Sequence, residues 1–369
     1  MKILSIVDSM DLAQGGPPVV LRNQKKVINN NKEILSIFKL THLSLIYLLS
    51  TFFLKKRRSK LNKLLISYDV IHFHLLWSLK VTIIARYAVK LGLKYIIVAH
   101  GYLDEWSISE KFFKKKIFIK LFLQKTIFES SAFFFSTLDE SKEAQKNLNF
   151  PDFFVIPNGS DLTRYKIDKD QNKNEKKIKK IAYFGRIHKK KGIEILLGSI
   201  KEMPKSFFLN YSFEIVGPGE TKYIEKIKSL INNYSLNEYV KLLPPKQRNE
   251  KINYLNTVDI FILPSYEEGD SIALKEAMAL GIPVIISEQC RMGIVQKENA
   301  GFIVKTAIHS LKETFNKLQS CDLKKMGLNA RNIIENNFDN ENCSKRLLKI
   351  YEDVYTGSHN SLDWVRENE

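Results

Sequence analysis

Short runs of aliphatic, β-branched and aromatic residues recur along the chain, and turn residues bound each of them. Such runs are typical of strands that are buried on both faces of a parallel sheet. In the first half of the chain we predict the strands Lys2–Val7, Ile34–Phe38, Val70–Phe73, Tyr95–Ala99, Ala132–Ser136 and Phe153–Ile156. In the second half we predict Ile181–Phe184, Phe213–Val216, Val240–Leu243, Asp259–Leu263, Val284–Ile286 and Phe302–Val304.

Longer segments between and after these strands have the composition and spacing of helices. The clearest are Leu79–Leu91, Glu110–Glu129, Lys312–Asn336 and Asn342–Val354. A regular alternation of strands and helices is typical of doubly wound α/β sheets. The pattern therefore predicts an α/β protein.

A turn and a polar segment separate two such series. Pro157-Asn158-Gly159 is a strong turn sequence, and Lys166–Lys180 is almost wholly polar, as linkers are. We therefore predict two Rossmann-like doubly wound domains that face each other across a cleft, formed by residues 1–165 and 166–340. Residues 341–369 form a helix and a polar tail; we expect both to pack back toward the first domain and the polar tail to fray. Clefts of this kind commonly hold ligands.

Composition agrees with this picture and restricts the compartment. The chain has 369 residues, enough for two domains, and only three cysteines. Since no Cys-x-x-Cys spacing occurs, we expect free thiols in a reducing compartment, and no secretory signal begins the chain. The apolar stretch Leu43–Leu54 is shorter than the roughly 20 residues that a membrane-spanning helix needs. We expect a cytoplasmic protein.

The formal net charge of +18 indicates an anionic partner. Basic and apolar residues interleave in Leu43–Arg58 and Lys111–Lys125, which favours peripheral attachment to an anionic inner membrane face. Well-solvated lysines are the alternative explanation of the overall excess. Nucleic acid is not an expected partner, because no recognition-helix or RNP-like motif occurs.

A cationic loop follows the predicted strand Ile181–Phe184. Its sequence, Gly-Arg-Ile-His-Lys-Lys-Lys-Gly, places Arg186 and Lys191 where they can straddle a diphosphate ahead of a helix N-terminus. A solvated basic turn is the alternative. Gly217 follows the next strand, where a glycine either admits a ligand close to the backbone or simply makes a turn.

The segment from Pro264 to Ile285 has the order strand, loop, short helix, glycine stop and strand. Glu276 falls inside an apolar helix pattern and needs a polar partner, for which a ribose diol is suitable. Glu268 lies at the mouth of the loop, where a carboxylate can meet a sugar. The N–H groups of Ser271, Ile272 and Ala273 at the helix start can hold phosphate. Solvated surface glutamates are the alternative.

The first domain offers weaker candidates. Gly15-Gly16 precedes a helix pattern and can admit a phosphate or sugar, although a flexible turn is an equal alternative. His100 ends a predicted strand, where it can donate a hydrogen bond to a sugar or act as a general acid or base. His72 and His74 are rivals whose alternation directs them to one face of the sheet, which favours a structural role for at least one.

Taken together, these motifs resemble glycosyltransferase family 4, the retaining GT-B enzymes. Glu268 and Glu276 before AMALGIPVI look like the paired glutamates of that family, and FGRIHKKKG looks like its arginine–lysine pair. The GGPP loop, IHFHLLWS, VAHGYLDEWS and VIPNGSDL resemble a subset from bacterial polysaccharide assembly.

The resemblance implies that Arg186 and Lys191 hold the donor diphosphate, Glu276 the ribose and Glu268 the transferred sugar. Gly16 and His100 would then face the donor sugar and the acceptor. It also implies a nucleotide-sugar donor, retention by attack on the leaving-group face, a surface-glycan acceptor, and no essential cofactor or metal. A lipid-linked acceptor would suit the membrane location predicted above.

One departure from the family stands in the motif. Family members commonly carry Phe-Gly where this chain has Asp270-Ser271. We expect Asp270 to add a carboxylate near the sugar. Three alternatives remain open: a sugar-nucleotide epimerase or phosphorylase of the same fold, a basic nucleic-acid-binding protein, and a non-catalytic member of a glycan assembly complex.

Overall fold

The structure is a computed structural model that describes residues 1–10, 16–31, 33–98, 100–103, 108, 112–146, 148–165, 178–246, 248–360 and 364–365. The chain divides into two compact units. Unit 1 is Met1–Gly159 with Asn340–Glu369, and unit 2 is Ser160–Asp339. The sequence had suggested boundaries at 165/166 and 340/341, and most of the polar segment 166–180 lies outside the described residues.

Unit 1 is built on a seven-stranded sheet in the order β13-β6-β5-β4-β3-β1-β2. Its strands are β1 Lys2–Val7, β2 Ile34–Lys39, β3 Val70–Phe73, β4 Lys94–Val98, β5 Ala132–Phe135, β6 Phe153–Val155 and β13 Trp364–Val365. All neighbours pair in parallel except β13, which runs antiparallel to β6. The tail that was expected to fray therefore contributes an edge strand, and that expectation was wrong for these two residues.

Helices cover both faces of this sheet, because alternate strand residues enter two different apolar cores. The helices are α1 Gly16–Asn30, α2 Leu45–Ser50, α3 Lys55–Leu65, α4 Leu79–Lys90, α5 Phe112–Phe118, α6 Gln124–Phe128, α7 Leu138–Gln145 and α15 Asn340–Thr356. A π-helical turn, Ile119–Leu123, joins α5 to α6. Helix α15 packs against α1 and closes one core with Leu347, Ile350 and Tyr351.

Unit 2 has a six-stranded sheet in the order β12-β11-β10-β7-β8-β9, with every pair parallel. The strands are β7 Lys179–Phe184, β8 Tyr211–Val216, β9 Val240–Leu243, β10 Ile260–Leu263, β11 Val284–Ser287 and β12 Gly301–Val304. The helices are α8 Ile193–Lys201, α9 Thr221–Asn233, α10 Arg248–Leu255, α11 Ile272–Ala279, α12 Ile294–Lys297, α13 Ile308–Lys317 and α14 Leu323–Asn337. Short 3₁₀ turns lie at Leu40–His42 in unit 1 and, in unit 2, at Lys189–Lys191, Lys205–Leu209, Glu288–Cys290 and Leu318–Ser320.

The two sheets confirm the predicted pair of doubly wound α/β domains. The helix expected near Lys312–Asn336 is two helices, because the chain leaves α13 through the turn Leu318–Ser320 and restarts at α14. Asp322 caps α14 by accepting the N–H of Lys325 at 3.0 Å. All three cysteines are free thiols, as expected. Among the described residues, no helix is both long enough and apolar enough to cross a membrane.

Candidate functional site

The strand order of unit 2 fixes where a ligand can approach its sheet. The order reverses between β7 and β10, the first strand of the unit and the fourth. In open parallel sheets the crevice at such a reversal, beyond the carboxyl ends of the strands, is the usual ligand site. The loops that leave β7 and β10 here are Gly185–Gly192 and Pro264–Ser271. They carry most of the residues that the sequence singled out.

The loop after β7 is held in shape by backbone contacts. The Tyr183 hydroxyl donates to the carbonyl of Arg186 at 2.6 Å, and the Ile187 N–H donates to Pro218 O at 2.7 Å. Gly217 has φ +152°, and a Cβ built there would lie 1.8 Å from Gly185 O. Gly217 is therefore a glycine because two loops meet at its α-carbon, which explains the residue type without a ligand.

The two loops are also fixed to each other. Gly192 has φ +67°, and a Cβ there would lie 2.0 Å from the carbonyl oxygen of Pro264. The Tyr266 N–H donates to Lys190 O at 2.8 Å. This contact places Lys191 beside Glu268, the second glutamate of the loop after β10.

Glu268 is 7% exposed and accepts two hydrogen bonds on the same oxygen. Lys191 Nζ lies 2.5 Å from Glu268 Oε1, and Ser265 Oγ donates to that oxygen at 2.8 Å. Arg186, which was predicted to act with Lys191, is exposed on the loop after β7. The Glu268 carboxylate can accept hydrogen bonds from sugar hydroxyls, and the Lys191 ammonium beside it can bind a phosphate.

Glu276 lies on α11, is 4% exposed and is bonded on both oxygens. The Tyr165 hydroxyl donates to Oε1 at 2.7 Å, and the Lys251 ammonium forms an ion pair with Oε2. Burial, together with the Glu276 charge, raises the pKa of Tyr165, so its hydroxyl stays protonated and donates. Sequence reasoning missed both partners, because Lys251 lies in a polar stretch without a pattern and Tyr165 is 111 residues from Glu276.

Helix α11 begins where the sequence predicted a phosphate-binding N-terminus. Ser271 is its N-cap and accepts the N–H of Leu274 at 3.4 Å, and Ile272 and Ala273 are the first helical residues. The neighbouring Asp270 does not present an open carboxylate. Its side chain is 4% exposed and lies 2.5 Å from Lys275 Nζ, so the expected extra carboxylate near the sugar is not supported.

The remaining candidates, Gly16 and His100, belong to unit 1. Gly16 begins α1, and Gly15 lies outside the described residues. His100 has φ +47°, unusual for a residue other than glycine, and the N–H of Gly101 donates to Glu140 Oε1 at 2.6 Å. Burial lowers the pKa of His100 to about 4, so the imidazole is neutral at pH 7.

His72 and His74 share a face of unit 1, as their alternation predicted. Their ring centroids are 4.1 Å apart. His72 Nδ1 lies 2.7 Å from the Tyr351 hydroxyl, and burial lowers the pKa of His72 to about 3. His74 Nδ1 lies 3.1 Å from His100 Nε2. The three histidines are therefore in contact in the order His72, His74 and His100, and His100 lies just beyond the carboxyl end of β4.

The structure thus brings eight of the predicted site residues to one edge of the unit 2 sheet. They are Arg186, Lys191, Gly217, Glu268, Ser271, Ile272, Ala273 and Glu276. His100 and Gly16 are placed at the corresponding edge of the unit 1 sheet, after β4 and β1.

Comparison with known proteins finds a family match that lies within unit 2. The family described as glycosyl transferases group 1 matches residues 164–338. An uncharacterized glycosyltransferase, MJ1069 of Methanocaldococcus jannaschii, is 27% identical over 277 residues, which are 70% of this chain and 68% of that protein. The UDP-Gal:alpha-D-GlcNAc-diphosphoundecaprenol alpha-1,3-galactosyltransferase of Escherichia coli is 28% identical over 92% of this chain and 82% of its own length. The capsular polysaccharide biosynthesis glycosyltransferase CapM of Staphylococcus aureus is 29% identical over 54% of this chain and 53% of its own.

Solved structures match the whole fold at low sequence identity. Sucrose-phosphate synthase from Thermosynechococcus elongatus aligns with a TM-score of 0.77 and 16% identity, over 97% of this chain and 100% of that one. HepE from Anabaena, solved in complex with UDP-glucose, aligns with a TM-score of 0.75 and 17% identity, over 96% and 100%.

Proposed function

We propose that this chain, a glycosyltransferase with the GT-B fold, is a retaining enzyme that moves a hexosyl or hexosaminyl group from a nucleotide-diphosphate sugar to a lipid-linked surface-glycan precursor. One observation carries the proposal. Two buried glutamates, each paired with a lysine, lie beside an exposed arginine and a helix N-terminus at the switch point of the unit 2 sheet.

The cations at this edge suit the diphosphate. We assign the donor phosphates to Arg186 and Lys191, with the free N–H groups at the start of α11. Lys191 can reach them without leaving Glu268, since an ammonium has three donors. These groups offset the charge that develops on the leaving diphosphate, so the proposed reaction needs no metal ion and should persist in EDTA.

The two glutamates suit the two sugar rings of the donor. Tyr165 and Lys251 orient the Glu276 side chain, and its remaining lone pairs can accept from a ribose diol. Both contacts of Glu268 fall on Oε1, so we assign Oε2 to a hydroxyl of the transferred sugar. With Glu268 used as an acceptor, the proton of the attacking hydroxyl passes to the leaving phosphate on the same face, which gives retention.

The acceptor class rests on relatives. The name of the Escherichia coli relative includes UDP-Gal and a GlcNAc-diphosphoundecaprenol. The Staphylococcus aureus relative is named for capsular polysaccharide biosynthesis. We extend a diphosphate-lipid acceptor to this chain, with Gly16 and His100 of unit 1 facing the donor sugar and the acceptor.

The first test is thermal stabilisation of the full chain by UDP-, GDP-, dTDP- and CMP-sugars, followed by hydrolysis and transfer assays. Stabilisation by one nucleotide family that Glu276→Gln weakens is the expected result. Losing one charged hydrogen bond of about 1.5–3 kcal/mol predicts roughly ten-fold weaker binding or more. Glu238→Gln, the same change at an exposed position of unit 2, should bind as the unaltered chain does. A folded protein that none of these sugars stabilises would contradict the proposal, and conversion of the donor without an acceptor would favour an epimerase.

The membrane part of the proposal rests on the surface of unit 1. Apolar side chains of the segment 43–58 face solvent, with Ile46 78% and Phe53 86% exposed, immediately before Lys55–Arg58. In the second segment Phe113 is 80% and Ile117 60% exposed among exposed lysines; Lys111 lies outside the described residues.

Both segments pack against the same helix, α4. Thr51 Oγ1 lies 2.9 Å from the Tyr87 hydroxyl of α4, and the π-helical turn and α6 contact α4 as well. We therefore treat the two segments as one membrane-facing surface, on which each basic residue adds about 1 kcal/mol of attraction to an anionic leaflet.

Co-sedimentation with vesicles of phosphatidylcholine, with and without phosphatidylglycerol, tests this surface. Changing Lys55, Lys56, Lys116 and Lys120 to glutamate should release the protein from the anionic vesicles. A control chain with Lys222, Lys241, Lys297 and Lys324 changed to glutamate has the same net charge, and those exposed lysines lie in unit 2. Equal binding of the two variants would refute the surface, since overall charge would then explain attachment.

A further inference from the structure

The cluster of His72, His74 and His100 determines what His100 can do chemically. His100 Nε2 lies 3.1 Å from His74 Nδ1, and the two rings are stacked with centroids 5.4 Å apart. His74 is 3% exposed. The ring centroid of His72 lies 4.1 Å from that of His74, and His72 Nδ1 lies 2.7 Å from the Tyr351 hydroxyl.

All three imidazoles are neutral at pH 7. Burial lowers the pKa of each, to about 3 for His72 and about 4 for His100, and the neighbouring imidazoles lower that of His74 further. A neutral imidazole has one N–H and one bare nitrogen. In the contact between His74 and His100, one nitrogen must therefore donate and the other must accept.

The other nitrogen of His74 decides the direction. His74 Nε2 is buried and has no hydrogen-bond partner. If His100 donated, His74 would carry its proton on Nε2, and a buried N–H would lack an acceptor. If His74 donates from Nδ1, Nε2 is only a bare acceptor. Orphaned buried N–H groups are rarer in proteins than under-used acceptors, because an unpaired donor loses its hydrogen bond to water on burial.

We propose that His74 is a positioning residue that donates its Nδ1–H to His100 Nε2 and so fixes His100 as the Nδ1-protonated tautomer. In this state His100 offers an N–H to a substrate oxygen, while its basic nitrogen is occupied by His74. Of the two roles that the sequence left open for His100, the arrangement selects the hydrogen-bond donor and excludes the general base. The substrate oxygen concerned rests on the proposed function; the tautomer does not.

The backbone around His100 supports the same conclusion. The left-handed conformation at His100 is held by the Gly101 N–H, which donates to Glu140 at 2.6 Å, while the other Glu140 oxygen accepts the Ser136 N–H at 2.9 Å. A non-glycine residue is strained in this region, and such strain persists where the surrounding structure specifies it. Glu140 fixes the turn and His74 fixes the ring.

Imidazole nitrogen NMR of the full chain tests the tautomer without any substrate. With ¹⁵N-labelled histidine at pH 7, the resonances that disappear in His100→Gln identify His100. We expect its Nδ1 in the protonated range and its Nε2 in the bare range. A proton on His100 Nε2, or rapid exchange between both tautomers, would overturn the proposal whatever the enzyme's substrate is.

Variants of His74 test the positioning role. The amide of an asparagine can occupy the place of Nδ1 and donate, so His74→Asn should keep the His100 tautomer, whereas His74→Phe should release it to a mixture. With an active donor sugar, kcat should fall roughly ten-fold to hundred-fold in His74→Phe with little change in KM, and His74→Asn should restore most of it. His309→Asn, at an exposed histidine of unit 2, is the matched control. Equal losses of kcat in both His74 variants, with the His100 tautomer unchanged, would contradict the proposal and show that His74 acts only through packing.

Discussion

At the scale of single residues, the buried glutamates of this chain are distinguished by their partners. Glu268 and Glu276 were predictable because each has a fixed place in the order of strand, loop, helix and glycine. Glu140 was not selected, although Thr137 to Glu140 has the form of a capping box. Its carboxylate accepts hydrogen bonds from the Gly101 and Ser136 N–H groups, which follow the ends of β4 and β5.

Glu140→Gln should therefore destabilise unit 1. An amide supplies one acceptor oxygen where the carboxylate supplies two, so one of the two backbone N–H groups would face an NH₂ group. Loss of a hydrogen bond to a charged group costs about 1.5–3 kcal/mol. Urea unfolding measures the change. Asp139→Asn, exposed one residue earlier on the same helix, is the control and should shift the free energy of unfolding by about 0.5 kcal/mol or less. Equal effects of the two changes would contradict this role.

What sequence could not supply at this scale was the choice of partners. Lys191 was predicted to bind phosphate, and in the structure it forms an ion pair with Glu268. Asp270 was expected near the sugar, and in the structure it forms an ion pair with Lys275. Local periodicity shows that a carboxylate is buried, but which cation reaches it depends on how loops from different strands meet.

At the scale of elements, the strands were predictable and their ends were not. Each predicted strand is present, because runs of β-branched and aromatic residues between turns leave few alternatives. The two-residue strand β13 was missed, since Trp364–Val365 is too short to show alternation and depends on its partner β6. The break between α13 and α14 was missed although Asp322 is a good N-cap residue, because apolar spacing continues through it.

Gly192 shows how one backbone conformation connects two elements of the site. Its φ of +67° and the 2.0 Å approach to Pro264 O exclude a side chain, so Gly192→Ala should separate the loop after β7 from the loop after β10. We expect a loss of roughly 1–3 kcal/mol from the backbone strain alone, and weaker nucleotide binding because Lys191 moves from Glu268.

Gly293→Ala is the matched control for this substitution. Gly293 has φ −54°, and a Cβ there meets nothing within 4 Å. Thermal unfolding and nucleotide titration of both variants give the comparison. If Gly192→Ala binds donor as tightly as Gly293→Ala does, the contact between the two loops does not organise the site.

At the scale of the whole molecule, the division of the chain into two units was predictable from the repeated alternation, and the distribution of buried ionisable groups was not. Histidines with lowered pKa values, His72, His74 and His100, all lie in unit 1, where they face one another and Tyr351. The sequence indicated only that two of them share a face of the sheet.

This distribution predicts that acid weakens unit 1 first. In the unfolded chain the pKa of each of these histidines is about 6.5. In the folded unit burial lowers the pKa of His100 to about 4 and that of His72 to about 3. Between these values the unfolded state binds more protons, so the free energy of unfolding of unit 1 is at its full value above about pH 6.5 and falls as the pH is lowered. Where the unfolded chain binds one more proton at a histidine than the folded unit does, that histidine lowers the free energy of unfolding by about 1.4 kcal/mol per pH unit.

Hydrogen exchange, followed peptide by peptide from pH 7 to 4.5, should show protection lost in β3 and β4 before β7 and β10. His72→Gln, which keeps a partner for the Tyr351 hydroxyl, should reduce that slope in unit 1 and leave unit 2 unchanged. Parallel loss of protection in both units, unaffected by His72→Gln, would place the acid sensitivity elsewhere in the molecule.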